Sequence, residues 1–92
     1  NAFAVGSPTL NRDAVPPVWN LLAGIDAINS GKKPVLVFGS YGWTGEAVAN
    51  IQARLMGLKM SVFEDGFKVN FVPTVEDLEA ARDMGRRFAQ SF

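Results

Sequence analysis

The sequence predicts an α/β layered fold built on a parallel sheet, and three observations carry that reading. Two short apolar runs, Ala2-Phe3-Ala4-Val5 and Val35-Leu36-Val37-Phe38, read as strands buried on both faces. Between and after them, apolar residues recur at helical spacing. Strands that alternate with helices imply parallel neighbours joined by right-handed crossovers. At 92 residues the chain is expected to form one domain over residues 1–92, since natural domains cluster near ~100–150 residues.

The first strand ends at Gly6 and gives way to a turn-rich loop, Gly6-Ser7-Pro8-Thr9-Leu10-Asn11-Arg12-Asp13. Pro16 and Pro17 suit the first turn of a helix, where a missing N–H costs nothing. Behind them Val18, Leu21, Leu22, Ile25 and Ile28 form an apolar stripe, and Gly31 is the expected terminator. Lys32 and Lys33 bound the second strand, which runs into Gly39-Ser40-Tyr41-Gly42-Trp43-Thr44-Gly45. Val48, Ile51, Leu55 and Leu58 mark a second amphipathic helix over residues 46–57, with Gly57 near its end. Residues 60–63 read as a third strand and Asp65-Gly66 as a turn. Phe67, Val69 and Phe71 then alternate with Lys68 and Asn70. That segment is either the return arm of a hairpin or an interrupted continuation of the third strand. Thr74 is the expected N-cap of the last helix, with Glu76 and Asp77 favouring its positive end. Its core stripe is Leu78, Ala81, Gly85, Phe88 and Phe92, and Arg86 and Arg87 lie near its C-terminus. The chain contains no internal repeat.

Composition narrows the function. Nine Lys and Arg balance nine Asp and Glu, which argues against a nucleic-acid or anionic-membrane surface. With 48% hydrophobic and 20% charged residues, the chain has the makings of a packed core and is not disordered. The absence of Cys excludes disulfides, thiolate metal sites and cysteine nucleophiles. The absence of His removes Ser-His-Asp catalysis, His-ligated metals and imidazole acid/base chemistry. No apolar run approaches the ~20 residues of a spanning helix, and no signal-peptide pattern opens the chain, so a soluble cytoplasmic protein is expected. The chain leads from Asn1 straight into a strand-like run, which suggests a piece of a longer protein.

In parallel sheets, ligands bind beyond the carboxyl ends of the strands, and here those ends carry the loops at residues 6–13 and 39–45. Backbone N–H groups and small hydroxyls beside a helix start suit oxyanions and planar polar rings. The spacing Gly39-x-x-Gly42-x-x-Gly45 is neither a dinucleotide fingerprint nor a P-loop, and no nucleophile elbow is present. The glycines alone could simply permit tight turns. Tyr41 and Trp43 add more, because two large aromatics at a glycine-rich tip have little to bury against. A planar aromatic ligand stacked on them would account for both, at ~0.5–1.5 kcal/mol per stacked pair. A protein–protein contact is the alternative. Trp19 reads as core margin or domain contact, Arg12 as a solvated loop charge, and the Met residues as core fillers.

Three stretches taken together resemble a family. Gly6-Ser7-Pro8-Thr9, Phe38-Gly39-Ser40-Tyr41-Gly42-Trp43-Thr44-Gly45-Glu46-Ala47, and Phe71-Val72-Pro73-Thr74 with Glu76-Asp77-Leu78 look like the flavodoxin-like domain of flavodiiron proteins (A-type flavoproteins). The Ser-Tyr-Gly-Trp-Thr-Gly loop is the specific element. The resemblance spans residues 2–90 but covers only the C-terminal half of that domain: its third, fourth and fifth strands with their helices. It implies a flavodoxin-like three-layer parallel sheet and an FMN site. Ser7, Pro8, Thr9, Leu10 and Asn11 would run along the ribityl chain and ring. Ser40, Tyr41, Gly42 and Trp43, with Gly45, would cover the isoalloxazine from the other side.

The resemblance also implies an electron-transfer domain that serves a di-iron centre, located in a separate domain of the same or another chain, where dioxygen or nitric oxide is reduced. A rubredoxin or a reductase would supply the electrons, and the chain would not be catalytic alone. The Thr/Ser-rich phosphate loop after the family's first strand and the iron ligands are both missing, and Arg12 and Asp13 replace a more neutral Asn/Gly-like loop. The alternative is a half-flavodoxin interaction or scaffold module without flavin. In the flavodoxin strand order 2-1-3-4-5, the strand at residues 2–5 would lose its neighbour and become an unprotected edge. Helices 16–29 and 46–57 would share one sheet face, leaving the other partly bare. The expected outcome is association with the missing N-terminal half or edge-to-edge homo-oligomerisation.

Overall fold

The computed structural model describes residues 2–26 and 31–91. Among the described residues the element order is β1 (Phe3–Pro8), α1 (Pro16–Ala23), β2 (Pro34–Tyr41), α2 (Glu46–Gly57), β3 (Ser61–Val62), β4 (Phe67–Asn70) and α3 (Val75–Gln90). Strand β2 is central. On one side it pairs in parallel with β1, from Phe3↔Val35 to Pro8↔Ser40. On the other it pairs in parallel first with β3 (Pro34↔Ser61, Val35↔Val62) and then with β4 (Phe38↔Phe67 to Tyr41↔Asn70). Because both lie parallel to β2, they are two pieces of one interrupted strand and not a hairpin. The interruption has a local cause: Glu64 (φ 49°) and Gly66 (φ 76°) adopt left-handed backbone. At Gly66 an added Cβ would stand 2.7 Å from the Val37 carbonyl oxygen, so glycine is required there.

Strands β1 and β2 run further than their apolar cores suggest. Ser7, Pro8, Ser40 and Tyr41 belong to the ladder and not to loops. Gly39 makes this extension possible. An ideal Cβ on it would lie 2.3 Å from the Ser7 carbonyl oxygen, so only a residue without one lets the two backbones close.

The two sheet faces are covered unequally. Val5, Val35 and Val37 face α1 and α2, where Leu22, Ala47, Val48, Ile51 and Leu55 are buried. The α2 stripe is buried as its spacing predicts, Leu58 included. Among the described residues the opposite face is covered by α3 alone, whose Met84 and Phe88 pack on Leu36 of β2, with Phe63 and Phe67 alongside. The Phe63 and Phe88 rings meet at 5.3 Å between centroids, a tilted contact within the favourable range.

This asymmetry corrects several sequence expectations. Strand β1 is not buried on both faces: Ala4 is exposed, and the half-exposed Phe38 ring lies across Gly6. Helix α1 stops at Ala23, capped by Gly24 instead of Gly31, and Leu21 is 60% exposed, with none of the described residues covering its side of the helix. In α3 only Met84 and Phe88 are buried. Leu78, Ala81 and Gly85 are exposed, since only the C-terminal half of the helix reaches the sheet. Met56 is exposed as well, whereas Met60 and Met84 fill core space. At the end of α2 the left-handed position is taken by Lys59 (φ 64°) and not by Gly57. Asn1, Ile28 and Phe92 lie outside the described residues.

Helix α3 begins as its sequence requires. The Thr74 hydroxyl accepts from Asp77 N (3.1 Å), and the Asp77 carboxylate accepts from Thr74 N (2.9 Å), a capping box in which Asp takes the usual Glu position. Beside the bare part of the sheet is a trough of about 500 Å³, lined by Gly6, Pro8, Leu36, Phe38, Phe67 and Met84 among others. Among the described residues, nothing pairs with the outer edge of β1.

Candidate functional site

The carboxyl ends of β1 and β2 finish side by side, and the chemistry-bearing residues collect there. The ladder places Ser7 opposite Gly39 and Pro8 opposite Ser40, and Thr9 N donates to the Ser40 carbonyl (2.9 Å). Five of the sequence-predicted residues, Ser7, Pro8, Thr9, Ser40 and Tyr41, are thus brought together directly. The chain then turns sharply. Leu10 and Asp13 exchange two backbone hydrogen bonds (2.9 and 3.0 Å) across Asn11 (φ 54°) and Arg12 (φ 63°). Asn tolerates this left-handed region, whereas Arg resists it by about 1 kcal/mol.

Neighbouring side chains hold that turn. The buried Ser7 hydroxyl donates to the Pro8 carbonyl (2.8 Å) and accepts from Val15 N (3.1 Å). The Thr9 hydroxyl accepts from Ala47 N (3.2 Å), a donor of the first turn of α2. Both hydroxyls therefore brace the scaffold. Asp13 Oδ1 accepts from Ala14 N (2.8 Å) and Asn50 Nδ2 (2.9 Å), and its Oδ2 accepts from Trp19 Nε1 (3.0 Å). The Asn50 amide above all, then the Ala14 N–H and the Trp19 indole, hold the Asp13 carboxyl below the usual carboxylate range. Arg12 pairs with Glu46 across solvent at 3.4 Å, an exposed contact that contributes little. The Thr44 hydroxyl is the main reason the Glu46 carboxyl also lies below its ordinary value.

The second loop carries the exposed aromatics. Trp43 is 94% exposed, as its position at a tip predicts. Tyr41 is half-buried, with Lys68 Nζ 5.7 Å from its ring centroid. Phe71 N donates to the Tyr41 carbonyl (2.7 Å), and the Phe71 ring covers Gly42, where an added Cβ would stand 2.8 Å from it. At Gly45 a Cβ would meet Lys68 and Tyr41 at 3.0 and 3.1 Å. Phe71 is 74% exposed.

Sequence reasoning missed Phe71 as a lining residue and Lys68 as its neighbour. It also missed Asp13 and Asn50 as the brace under the first loop. The one sequence signal was a charged residue where a neutral loop was expected.

This arrangement can hold a flat, polar-edged ring. Large exposed apolar groups, Leu10, Trp43 and Phe71, surround the strand ends, while the backbone at Asn11, Arg12, Gly42 and Trp43, outside the ladder and turn bonds, supplies directional polar groups. The fit is weaker for a phosphate, because the loops at residues 6–13 and 39–45 hold a single cation, Arg12, with the Glu46 carboxylate beside it. Among the described residues no cluster of His, Cys, Asp or Glu could hold a metal ion, and no helix is long and apolar enough to cross a membrane.

The chain is similar to known proteins in sequence and in fold. A family model described as Flavodoxin matches residues 2–85. The chain is 48% identical over 91 residues to the flavo-diiron protein FprA2 of Clostridium acetobutylicum, covering 99% of this chain and 23% of that protein. It superposes on the rubredoxin oxygen:oxidoreductase of Desulfovibrio gigas with a TM-score of 0.89 and 33% identity, covering 98% of this chain and 22% of that one. It also superposes on a flavodoxin from the domain Archaea with a TM-score of 0.91 and 30% identity, covering 98% of this chain and 64% of that one. The chain thus spans less than a quarter of the curated flavo-diiron relative.

Proposed function

The chain belongs to the flavodoxin family, and on that premise we propose that it is the second half of an FMN-binding electron-transfer domain of a flavo-diiron oxidoreductase. FMN is the cofactor. The observation that carries the reading is the close junction of β1 and β2 at Ser7 and Gly39, which sets the two loops beside each other at the carboxyl edge of the sheet. Ser7, Pro8, Thr9, Leu10 and Asn11 form one wall, and Ser40, Tyr41, Gly42, Trp43 and Gly45 form the other.

Bound FMN supplies one- and two-electron redox chemistry. The residues position it. Trp43 and Tyr41 present aromatic surface, Asn11 and Arg12 at the tip of the Leu10–Asp13 turn present backbone N–H groups, and the Phe71 ring lies over Gly42. Dioxygen or nitric oxide would be reduced elsewhere, at a di-iron centre in another domain of the same or another chain, because this chain has no His to ligate iron. A rubredoxin or a reductase is the donor in this reading. The bare sheet face and open β1 edge are the place for the missing N-terminal half, with its phosphate loop; without it, two copies would pair edge to edge.

The test is direct. The natural full-length polypeptide should purify yellow, with about one flavin per chain, and should bind FMN after flavin is stripped. A colourless protein that ignores added FMN would overturn the reading in favour of a scaffold module.

A further inference from the structure

Asp13 is the most connected side chain near the candidate flavin loops. Its carboxylate ties three elements together: the loop itself through Ala14 N, α1 through the Trp19 indole, and α2 through Asn50. Its backbone closes the turn against Leu10 through two hydrogen bonds. Between those two residues stand Asn11 and Arg12, both left-handed and neither glycine. Asn50 adds a weaker bond of 3.4 Å from the same amide nitrogen to the Arg12 carbonyl. A turn with this backbone relaxes unless its surroundings over-determine it, and Asp13 is where those restraints converge.

We propose that Asp13 is a positioning residue for the flavin. By bridging Ala14, Trp19 and Asn50, it holds the Leu10–Asp13 turn in its left-handed form and so fixes the wall that the isoalloxazine and ribityl chain meet. Asp13 itself need not touch the cofactor. This rests on the FMN reading above, and it goes beyond that reading by assigning the shape of one wall to one carboxylate.

The geometry specifies the variant that tests it. All three partners are N–H donors, so both carboxylate oxygens act only as acceptors. In Asp13→Asn one oxygen becomes an NH2 that must face a donor, either the Trp19 indole or the Ala14 and Asn50 nitrogens. Size is preserved and acceptor capacity is lost. A second substitution separates positioning from simple gluing. Arg12→Gly removes the backbone resistance to the left-handed region and gives up only an exposed ion pair. If Asp13 works by holding that backbone, glycine at position 12 restores what Asp13→Asn loses. If Asp13 merely fastens α1 to α2, it restores nothing.

The experiment uses the full-length polypeptide, with FMN titrated by fluorescence quenching and amide exchange followed in the peptide spanning residues 9–14. In Asp13→Asn, exchange of that peptide should accelerate and the FMN Kd should rise about tenfold. In the Arg12→Gly, Asp13→Asn double variant, Kd should return to within about threefold of wild type. An Asp13→Asn protein with unchanged Kd overturns the proposal, even if its thermal stability falls. A raised Kd that Arg12→Gly does not repair also overturns it and leaves Asp13 as structural glue. Failure of the FMN reading is a separate outcome, in which the wild-type protein binds no FMN. Exchange in the 9–14 peptide would then still decide whether Asp13 holds the turn.

Discussion

Replacing Gly39 by Ala probes the contact on which the site depends. An ideal Cβ at this position would stand 2.3 Å from the Ser7 carbonyl oxygen and 3.2 Å from Val48 Cγ2. Non-bonded heavy atoms settle near ~3.5 Å, so the strands must part by at least about 1 Å. The obstacle on the β1 side is backbone, which cannot rotate away. On the helix side the buried Val48 blocks the escape route. Overpacking of this kind costs about 1–3 kcal/mol, and the two-sided block places Gly39→Ala at the upper end, about 2–3 kcal/mol. For a domain of this size each kcal/mol lowers Tm by roughly 4–8 °C, giving a fall of about 8–24 °C. Flavin affinity should fall with it, because the same contact sets the spacing of the two loops. Gly42→Ala is the internal control for stability. The atoms nearest its Cβ belong to the ring of the exposed Phe71, which can swing aside at a cost within about 0.5 kcal/mol. The assay is urea unfolding followed by circular dichroism, paired with FMN titration. A Gly39→Ala protein with the midpoint and flavin affinity of wild type would refute the reasoning.

Other outcomes follow from the same geometry. Trp43→Ala should weaken FMN binding by about 1–3 kcal/mol with the unfolding midpoint unchanged; lost stability at constant affinity would make Trp43 a packing residue. The isolated 92-residue chain should bind riboflavin nearly as well as FMN in parallel titrations, since no phosphate loop is present, and strong preference for FMN would contradict this. Light scattering on that same isolated chain should show association at the open β1 edge, and a stable monomer at high concentration would argue otherwise. Asp13 should contribute to acid sensitivity. Its folded-state pKa is lowered, so its stabilisation is present above the unfolded value near 3.8 and is lost as pH falls through the lower folded value. Urea midpoints measured from pH 5 downward should therefore fall less steeply in Asp13→Asn than in wild type.

The elements whose local signals agree with their packing were legible from sequence. Val48, Ile51, Leu55 and Leu58 recur at helical spacing and are buried, because a sheet face lies opposite them. Thr74 and Asp77 announce the start of α3 through a bond that spans only three residues. Leu21 and Leu78 follow the same periodicity and are exposed, for periodicity identifies a face and not whether anything covers it. The alternative at residues 67–71 stayed open because hairpin and interrupted strand share one alternating pattern; pairing with β2 decides between them, and that is a tertiary fact. The site was legible as two loops with exposed aromatics. Its bracing was not, because Asp13 finds Asn50 thirty-seven positions away and a lone carboxylate in a loop gives no sign of its donors.

Helix α3 combines strong local order with a narrow attachment. Its capping box and its Asp83–Arg87 pair one turn apart favour the helix with no help from the sheet, while Met84 and Phe88 are its only buried side chains. Such a segment is a cooperative unit that can detach without melting. Its departure would open the trough into a continuous apolar plane across Leu36, Phe38, Phe63 and Phe67. A partly open state in which α3 has detached is therefore an adhesive one, and any element that overlies that face guards against aggregation as well as completing the fold.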